Sequence, residues 1–172
     1  FISNLNPKYL DVDNLLYSIT VLFAQIARED LENINIYQNL FNNFVGRQSL
    51  TKNQLKDITH TFKSEQKGGL FHDNYKKVIK ALKEDLDYAY RQVEISAQQN
   101  TENTVFSLLL QMAHGTGNIK SEQQLILDEY IKCFGMSKER VLNFTQKYKS
   151  TPKKEINVEE AFSRVVQNAQ TL

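Results

Sequence analysis

The sequence predicts an all-α protein of eight or nine helices, packed as one compact bundle with two pseudo-repeated halves. Three observations predict it. Apolar residues recur at spacings of three and four along most of the chain, as one face of a helix requires. Only six Gly and two Pro interrupt 172 residues, too few for a turn-dense β sandwich. No segment alternates apolar and polar residues as a half-buried strand does.

The first stripe runs through Leu15, Leu16, Ile19, Leu22, Phe23, Ile26 and Ala27, with Asp11 or Asp13 placed to cap it. The charged patch Arg28-Glu29-Asp30-Leu31-Glu32 breaks that stripe. A second helix follows through Ile36, Leu40, Phe41 and Phe44 to Gly46, which reads as a left-handed stop. Thr51-Lys-Asn-Gln54 has capping-box spacing, so a third helix is expected from Thr51 to Lys63 with Leu55, Ile58, Thr59 and Phe62 inward. Lys67-Gly68-Gly69 reads as a turn. Helix four, Asn74 to Leu82, sets Tyr75, Val78, Ile79 and Leu82 against Lys76, Lys77, Lys80 and Lys83.

Leu86, Tyr90, Val93 and Ala97 continue a helical stripe, and the wholly polar run Gln98 to Thr104 reads either as a loop, the favoured reading, or as a solvated length of unbroken helix. Val105 to Ala113 is apolar at helical spacing. Ser121-Glu-Gln-Gln124 is a second capping box, leading a stripe through Leu125, Ile126, Tyr130, Cys133 and Phe134 to Gly135. Ser137 then caps Val141, Leu142, Phe144 and Tyr148. After a Pro152-Lys-Lys154 connector, a C-terminal helix at about 157–170 carries Val158, Ala161, Phe162, Val165 and Val166. It reads as a terminal helix packed back on the bundle.

Charge and cysteine usage narrow the setting. Lys+Arg 21 against Asp+Glu 20 gives no bulk attraction for nucleic acid or an anionic membrane. The lone Cys133 cannot form an internal disulfide, which fits a reducing cytoplasm. The most apolar stretch, Leu15 to Ala27, falls short of the roughly 20 residues of a membrane span and is broken by Ser18, Thr20 and Gln25. The chain starts at Phe1 rather than Met, which leaves room for an anchor upstream.

An internal repeat stands out. Phe23-Ala-Gln-Ile-Ala27 aligns with Leu109-Leu-Gln-Met-Ala113, 86 positions later. Each copy continues with a short polar loop, an apolar helix ending in Gly (Gly46, Gly135), a capped restart and an aromatic helix (Phe62, Tyr148). The halves span about 14–63 and 105–149 of a single domain covering 1–172. Together with Phe62-Lys-Ser-Glu-Gln-Lys67, Leu70 and the Lys-rich helix, this organisation resembles the TerB-like helical domain. It is closest to the central domain of DjlA-type membrane-anchored co-chaperones.

The resemblance implies a loop of the form A-x-x-D-G-x-[IV]-x-x-x-E whose acids hold a cation or organise the loop. Here both copies depart from it. Ala113-His-Gly-Thr116-Gly117-Asn-Ile119-Lys-Ser-Glu122-Gln123 has Thr116 for Asp and Gln123 for Glu. Ala27-Arg-Glu-Asp30-Leu31 keeps Asp and loses Gly, and Gln38 stands where Glu is expected. A hard cation needs several oxygen ligands, preferably anionic, so no metal or cofactor is assigned. Arg28, Glu29, Asp30, Glu32 and Glu122 remain binding candidates in the loops, and Lys76, Lys77, Lys80 and Lys83 on the helix face.

Catalysis has no support in the residues. His60, His72 and His114 are scattered, and only His60 has a neighbour, Asp57, at helical ligand spacing. Cys133 lies on an apolar stripe and reads as a structural thiol. Gly115-Thr-Gly117 lacks the Lys and preceding strand of a phosphate loop, so its glycines read as a tight turn. Tyr88, Tyr90, Tyr130, Phe134, Phe144 and Tyr148 read as mostly core.

The resemblance therefore implies a non-enzymatic protein-interaction or adaptor domain of a membrane-associated bacterial co-chaperone-like or stress-related protein. Such a domain faces the cytoplasm, tethered to the inner membrane through a segment outside this stretch, and its partners are proteins rather than nucleic acid. The family places it between an anchor and a J domain that stimulates an Hsp70 ATPase. No His-Pro-Asp occurs here, although Glu160-Ala-Phe162 with Val165 also resembles the opening of a J domain. Two alternatives stay open: a TerB-like regulatory module binding a metal or small anion, and an adaptor subunit of a membrane-associated complex unrelated to chaperones.

Overall fold

The computed structural model describes residues 10–67 and 74–149. Seven α-helices lie among them: α1 (Val12–Arg28), α2 (Ile34–Gly46), α3 (Lys52–Gln66), α4 (Tyr75–Ala89), α5 (Ile95–Ala113), α6 (Ser121–Cys133) and α7 (Lys138–Lys149). A 3-10 turn, Leu31–Asn33, precedes α2, and no strand occurs among the described residues. The expected helix at about 157–170, with its J-domain-like pattern, and the glycines of the expected turn at 67–69 lie outside them.

The all-α class therefore holds, with seven α-helices among the described residues against the eight or nine expected of the whole chain. Gln98 to Thr104 is helical rather than a loop and lies within one 19-residue helix, Ile95–Ala113, whereas the expected stripe through Leu86, Tyr90, Val93 and Ala97 is split, because α4 ends at Ala89 and residues 90–94 form a turn. A polar run stays helical here because its side chains find buried partners. Tyr90 and Thr101 share a hydrogen bond of 2.6 Å between hydroxyls. Arg140 pairs with Glu102 at 3.1 Å and its Nε donates to Asn103 at 2.7 Å. The Tyr130 hydroxyl donates to the Glu102 carbonyl at 2.7 Å. Buried polar groups partnered in this way escape the desolvation penalty that would otherwise break the helix.

α1 is the centre of the bundle. Leu15, Leu16 and every residue from Ser18 to Ala27 are buried, as expected of a helix apolar around most of its circumference. It packs most extensively on α3 and also meets α4 and α5, while α6 closes on α4 and α5. Aromatic pairs reinforce these junctions. Phe41 stacks on Phe62 to join α2 and α3, and Phe106 meets Phe144 edge to face to join α5 and α7. No helix among the described residues is long and apolar enough to cross a membrane.

Caps follow the sequence in most places. The Asp11 carboxylate accepts from the Asn14 amide, Thr51 and Gln54 exchange both capping-box bonds, and Ser137 accepts from the Arg140 amide. The box expected at Ser121 to Gln124 is displaced by one residue, because the Lys120 amide donates to the Gln123 side chain. Several stripe residues face outward: Leu55, Leu125, Leu142, Ile36 and Tyr88 are exposed.

Glycines sort by conformation. Gly117 (φ 84°) and Gly135 (φ 61°) adopt the left-handed region, confirming a tight turn and a helix stop. Gly46 is instead the last residue of α2, and a β-carbon there would meet open space. A β-carbon on Gly115 would collide with Leu40 Cδ1 at 2.5 Å, so that glycine lets the α5–α6 loop lie against α2. Gly46→Ala should therefore stabilise the fold by roughly 0.5 kcal/mol, and Gly135→Ala should destabilise it by about 1 kcal/mol. Urea denaturation of the two variants measures both signs, and the reverse pair of signs would move the left-handed stop to Gly46.

Candidate functional site

The end of α1 and the start of α6 meet through one buried carboxylate. α1 terminates at Arg28 with Glu29 as its C-cap, and the Asp30 amide donates back to the Ala27 carbonyl at 3.1 Å. That turn drives the Asp30 side chain inward, leaving it 1% exposed. Three groups converge on it. The Asn33 side-chain amide donates to both oxygens at 3.1 and 3.0 Å. The Tyr37 hydroxyl donates at 2.7 Å. The Lys120 ammonium, arriving from the α5–α6 loop, stands 3.0 Å away.

Gln123 completes the junction from α6. Its Nε2 donates to the Tyr37 hydroxyl at 2.8 Å and to the Ile26 carbonyl at 2.9 Å, while its Oε1 accepts from the Lys120 amide at 3.0 Å. Tyr37 and Gln123 are fully buried. Here the phenol relays hydrogen bonding between two loops far apart in sequence, accepting from α6 and donating to Asp30. Such closed networks strengthen each bond and restrict the geometry of their members.

The ionisation states follow from these contacts. Burial pushes the Asp30 carboxyl up, but hydrogen bonds from Tyr37, Lys120 and Asn33, with the Lys120 charge, outweigh it and hold the group below its ordinary value. Burial, the Asp30 bond and the Asp30 charge outweigh donation from Gln123 and push the Tyr37 phenol to about 12. The Asp30 bond outweighs partial desolvation and raises Lys120, and the fields of Glu32 and Glu122 add to it. At neutral pH Asp30 is therefore anionic, Lys120 cationic and Tyr37 protonated. The junction is an electrostatic lock with no proton poised to move near pH 7.

Of the loop candidates, Asp30 lies inside the junction, and Glu32 and Glu122 lie within the field of Lys120. Arg28 and Glu29 are partly buried at the end of α1. The lysines form a separate face: Lys76, Lys77 and Lys80 are exposed on α4. Lys83 pairs with Asp87 at 2.8 Å, its ammonium 5.8 Å from the Phe134 ring centroid. Among the described residues no three His, Cys, Asp or Glu side chains gather as a metal site. Cys133 is half-buried, and burial holds its thiol protonated. His60 is exposed; His114 stacks on Tyr148, and burial lowers its basicity.

Sequence reading missed Tyr37, Asn33 and Lys120 and saw Gln123 only as a substitution. The available signal was Asp30 with Asn33 three and Tyr37 seven residues on, a spacing that returns to the same side of a helix. Compared with protein-family models, with curated proteins and with solved structures, the chain matches none of them.

Alkaline and acid melts should read this junction. The unfolded Tyr37 phenol loses its proton near 10 and the folded one near 12, so its contribution is complete below 10 and disappears between the two values. Tyr37→Phe should therefore lose less stability than the parent across that window. Asp30, lowered in the fold, contributes fully above the ordinary carboxyl range and fades as pH falls through its lowered value. Asp30→Asn should cost about 1–3 kcal/mol at pH 7 and flatten the acid limb. Identical pH profiles for parent and variants would show that neither group is linked to folding.

Proposed function

We propose that this chain is a non-enzymatic protein-interaction domain of the TerB-like kind, closest in organisation to the central domain of DjlA-type co-chaperones. Helix placement supports a duplicated ancestry: α2 and α6 are both 13 residues long and begin at residues 34 and 121. α3 and α7 begin at residues 52 and 138. Those intervals of 87 and 86 residues match the repeat between Phe23 and Leu109. We read the chain as two helical units whose equivalent loops meet at Asp30, Lys120 and Gln123.

The observation that carries the reading is the contrast between the inside and the outside of that junction. Inside, the polar groups bond to one another. Outside, large apolar side chains remain exposed on the same two elements: Leu31 at 59%, directly after Asp30, and Leu125 at 55%, one turn after Glu122. Exposed leucines on a rigid base, beside Glu32, Glu122 and Lys120, have the make-up of a protein contact with an apolar centre and a charged rim. In this reading the partner belongs to a chaperone or stress system at the bacterial inner membrane.

Co-purification from source cells, with partners identified by mass spectrometry, tests the reading. Leu31→Asp with Leu125→Asp should abolish a stoichiometric partner and shift the melting temperature little, since both side chains are exposed. Retention of every partner by the double variant would sink the loop-end surface. A chaperone-free membrane complex as sole partner would favour the adaptor alternative. Cation binding would have to displace the Lys120 ammonium from Asp30. Calorimetric titration with calcium, magnesium and phosphate giving tight binding dependent on Asp30 or Glu122 would promote the regulatory alternative.

A further inference from the structure

We propose that the exposed face of α4 is a self-association surface, on which a second copy of this chain packs with its own α4 antiparallel. The inference is independent of the loop-end reading, because α4 contributes nothing to that junction. α4 buries Val78, Ile79, Leu82, Leu86 and Ala89 against the bundle. At 100° per residue the opposite face carries Lys77, Lys80, Ala81, Glu84, Asp87 and Tyr88, all exposed.

The charges on that face are segregated along the helix, and in the order that opposes the helix itself. A macrodipole favours acids at the N-terminus and bases at the C-terminus. α1 and α6 obey, with Asp13 and Glu122 in their first turns and Arg28 and Lys132 in their last. α4, like α2 and α5, has no acid in its first turn, no base in its last and no side-chain capping bond at its N-cap, but α4 alone of the three carries lysines in its first half and acids in its second. Lysines fill the N-terminal half and acids the C-terminal half. Lys80 with Glu84 and Lys83 with Asp87 also stand in the Lys-first order, the weaker orientation for a pair one turn apart. Stability of the isolated helix therefore does not explain the pattern.

A second α4 laid antiparallel does explain it. A two-fold axis near residue 82 sets Lys80 of each chain opposite Glu84 of the other, and Lys77 toward Asp87, which also holds Lys83 of its own helix. Both pairs are centred on the same position, so one axis satisfies all four contacts at once, as an isologous interface requires. The small Ala81 lies beside the crossing, where a bulky side chain would hold the helices apart. The two macrodipoles also run antiparallel. A face divided into one positive and one negative half complements a copy of itself.

Contacts of this kind are weak and screened, so the association should be concentration- and salt-dependent. Sedimentation velocity of the 172-residue chain should show a monomer–dimer equilibrium between roughly 10 μM and 1 mM protein at about 20 mM salt, weakened about tenfold at roughly 300 mM. Lys80→Glu alone and Glu84→Lys alone should each remain monomeric, with melting temperatures confirming that both fold. Mixing those two variants should restore a heterodimer, and the chain carrying both reversals should dimerise again. A parent chain that stays monomeric throughout, single reversals that leave association unchanged, or a double reversal that fails to restore it would each overturn the proposal.

Discussion

The Asp30 carboxylate is where the two halves of the molecule become one. A carboxylate buried to this degree is tolerable only when every strong donor around it is in place. Two of its donors, Asn33 and Tyr37, come from the first half and one, Lys120, from the second. Asp30 also needs α1 to end where it does, since the turn at Arg28 and Glu29 aims the side chain inward. Gly115 is part of the same constraint. Without a β-carbon there, the second loop lies against the Leu40 side chain of α2 with no need for that side chain to shift. The position of α6, and through it the packing against α4 and α5, follows from this junction.

A second polar pair, with Glu102 buried and Arg140 partly so, plays a corresponding part between other helices. Glu102 and Arg140 join α5 to α7, and the hydroxyl of Tyr130 holds the Glu102 carbonyl from α6. α7 has few close backbone contacts with other helices, so this pair and the Phe106–Phe144 contact orient it. The molecule thus uses an apolar α1 for bulk stability and two buried polar centres for specificity of arrangement. That division fits a rigid platform, the premise of the two surfaces proposed at the loop end and along α4.

Legibility from sequence divides along the same line. The burial of α1, the caps at Asp11, Thr51 and Ser137, and the left-handed Gly135 were readable because each depends on residues within about one turn. The choice between loop and helix at Gln98 to Thr104 was not decided by the sequence, since it depends on Tyr130 and Arg140, some 28 and 38 residues from Glu102. Gly46 misled for a related reason: glycine permits a left-handed stop without requiring one. At the candidate site, the pattern singled out Asp30 and Gln123 in two loops, whereas their junction through Tyr37 is a tertiary contact. Leu31, Leu125 and Ile36 likewise carry apolar identities that say nothing about which side of a junction they occupy.

Whether Tyr37 couples the halves can be measured with a double-mutant cycle on Tyr37→Phe and Gln123→Leu, read by urea denaturation at neutral pH. Both side chains are buried and joined at 2.8 Å, so each single change should leave the other group short of a partner. A coupling free energy of about 1–2 kcal/mol, with a single cooperative transition, is the expected result. Losses that add to within about 0.3 kcal/mol, or a transition that separates the two halves in the parent chain, would contradict it.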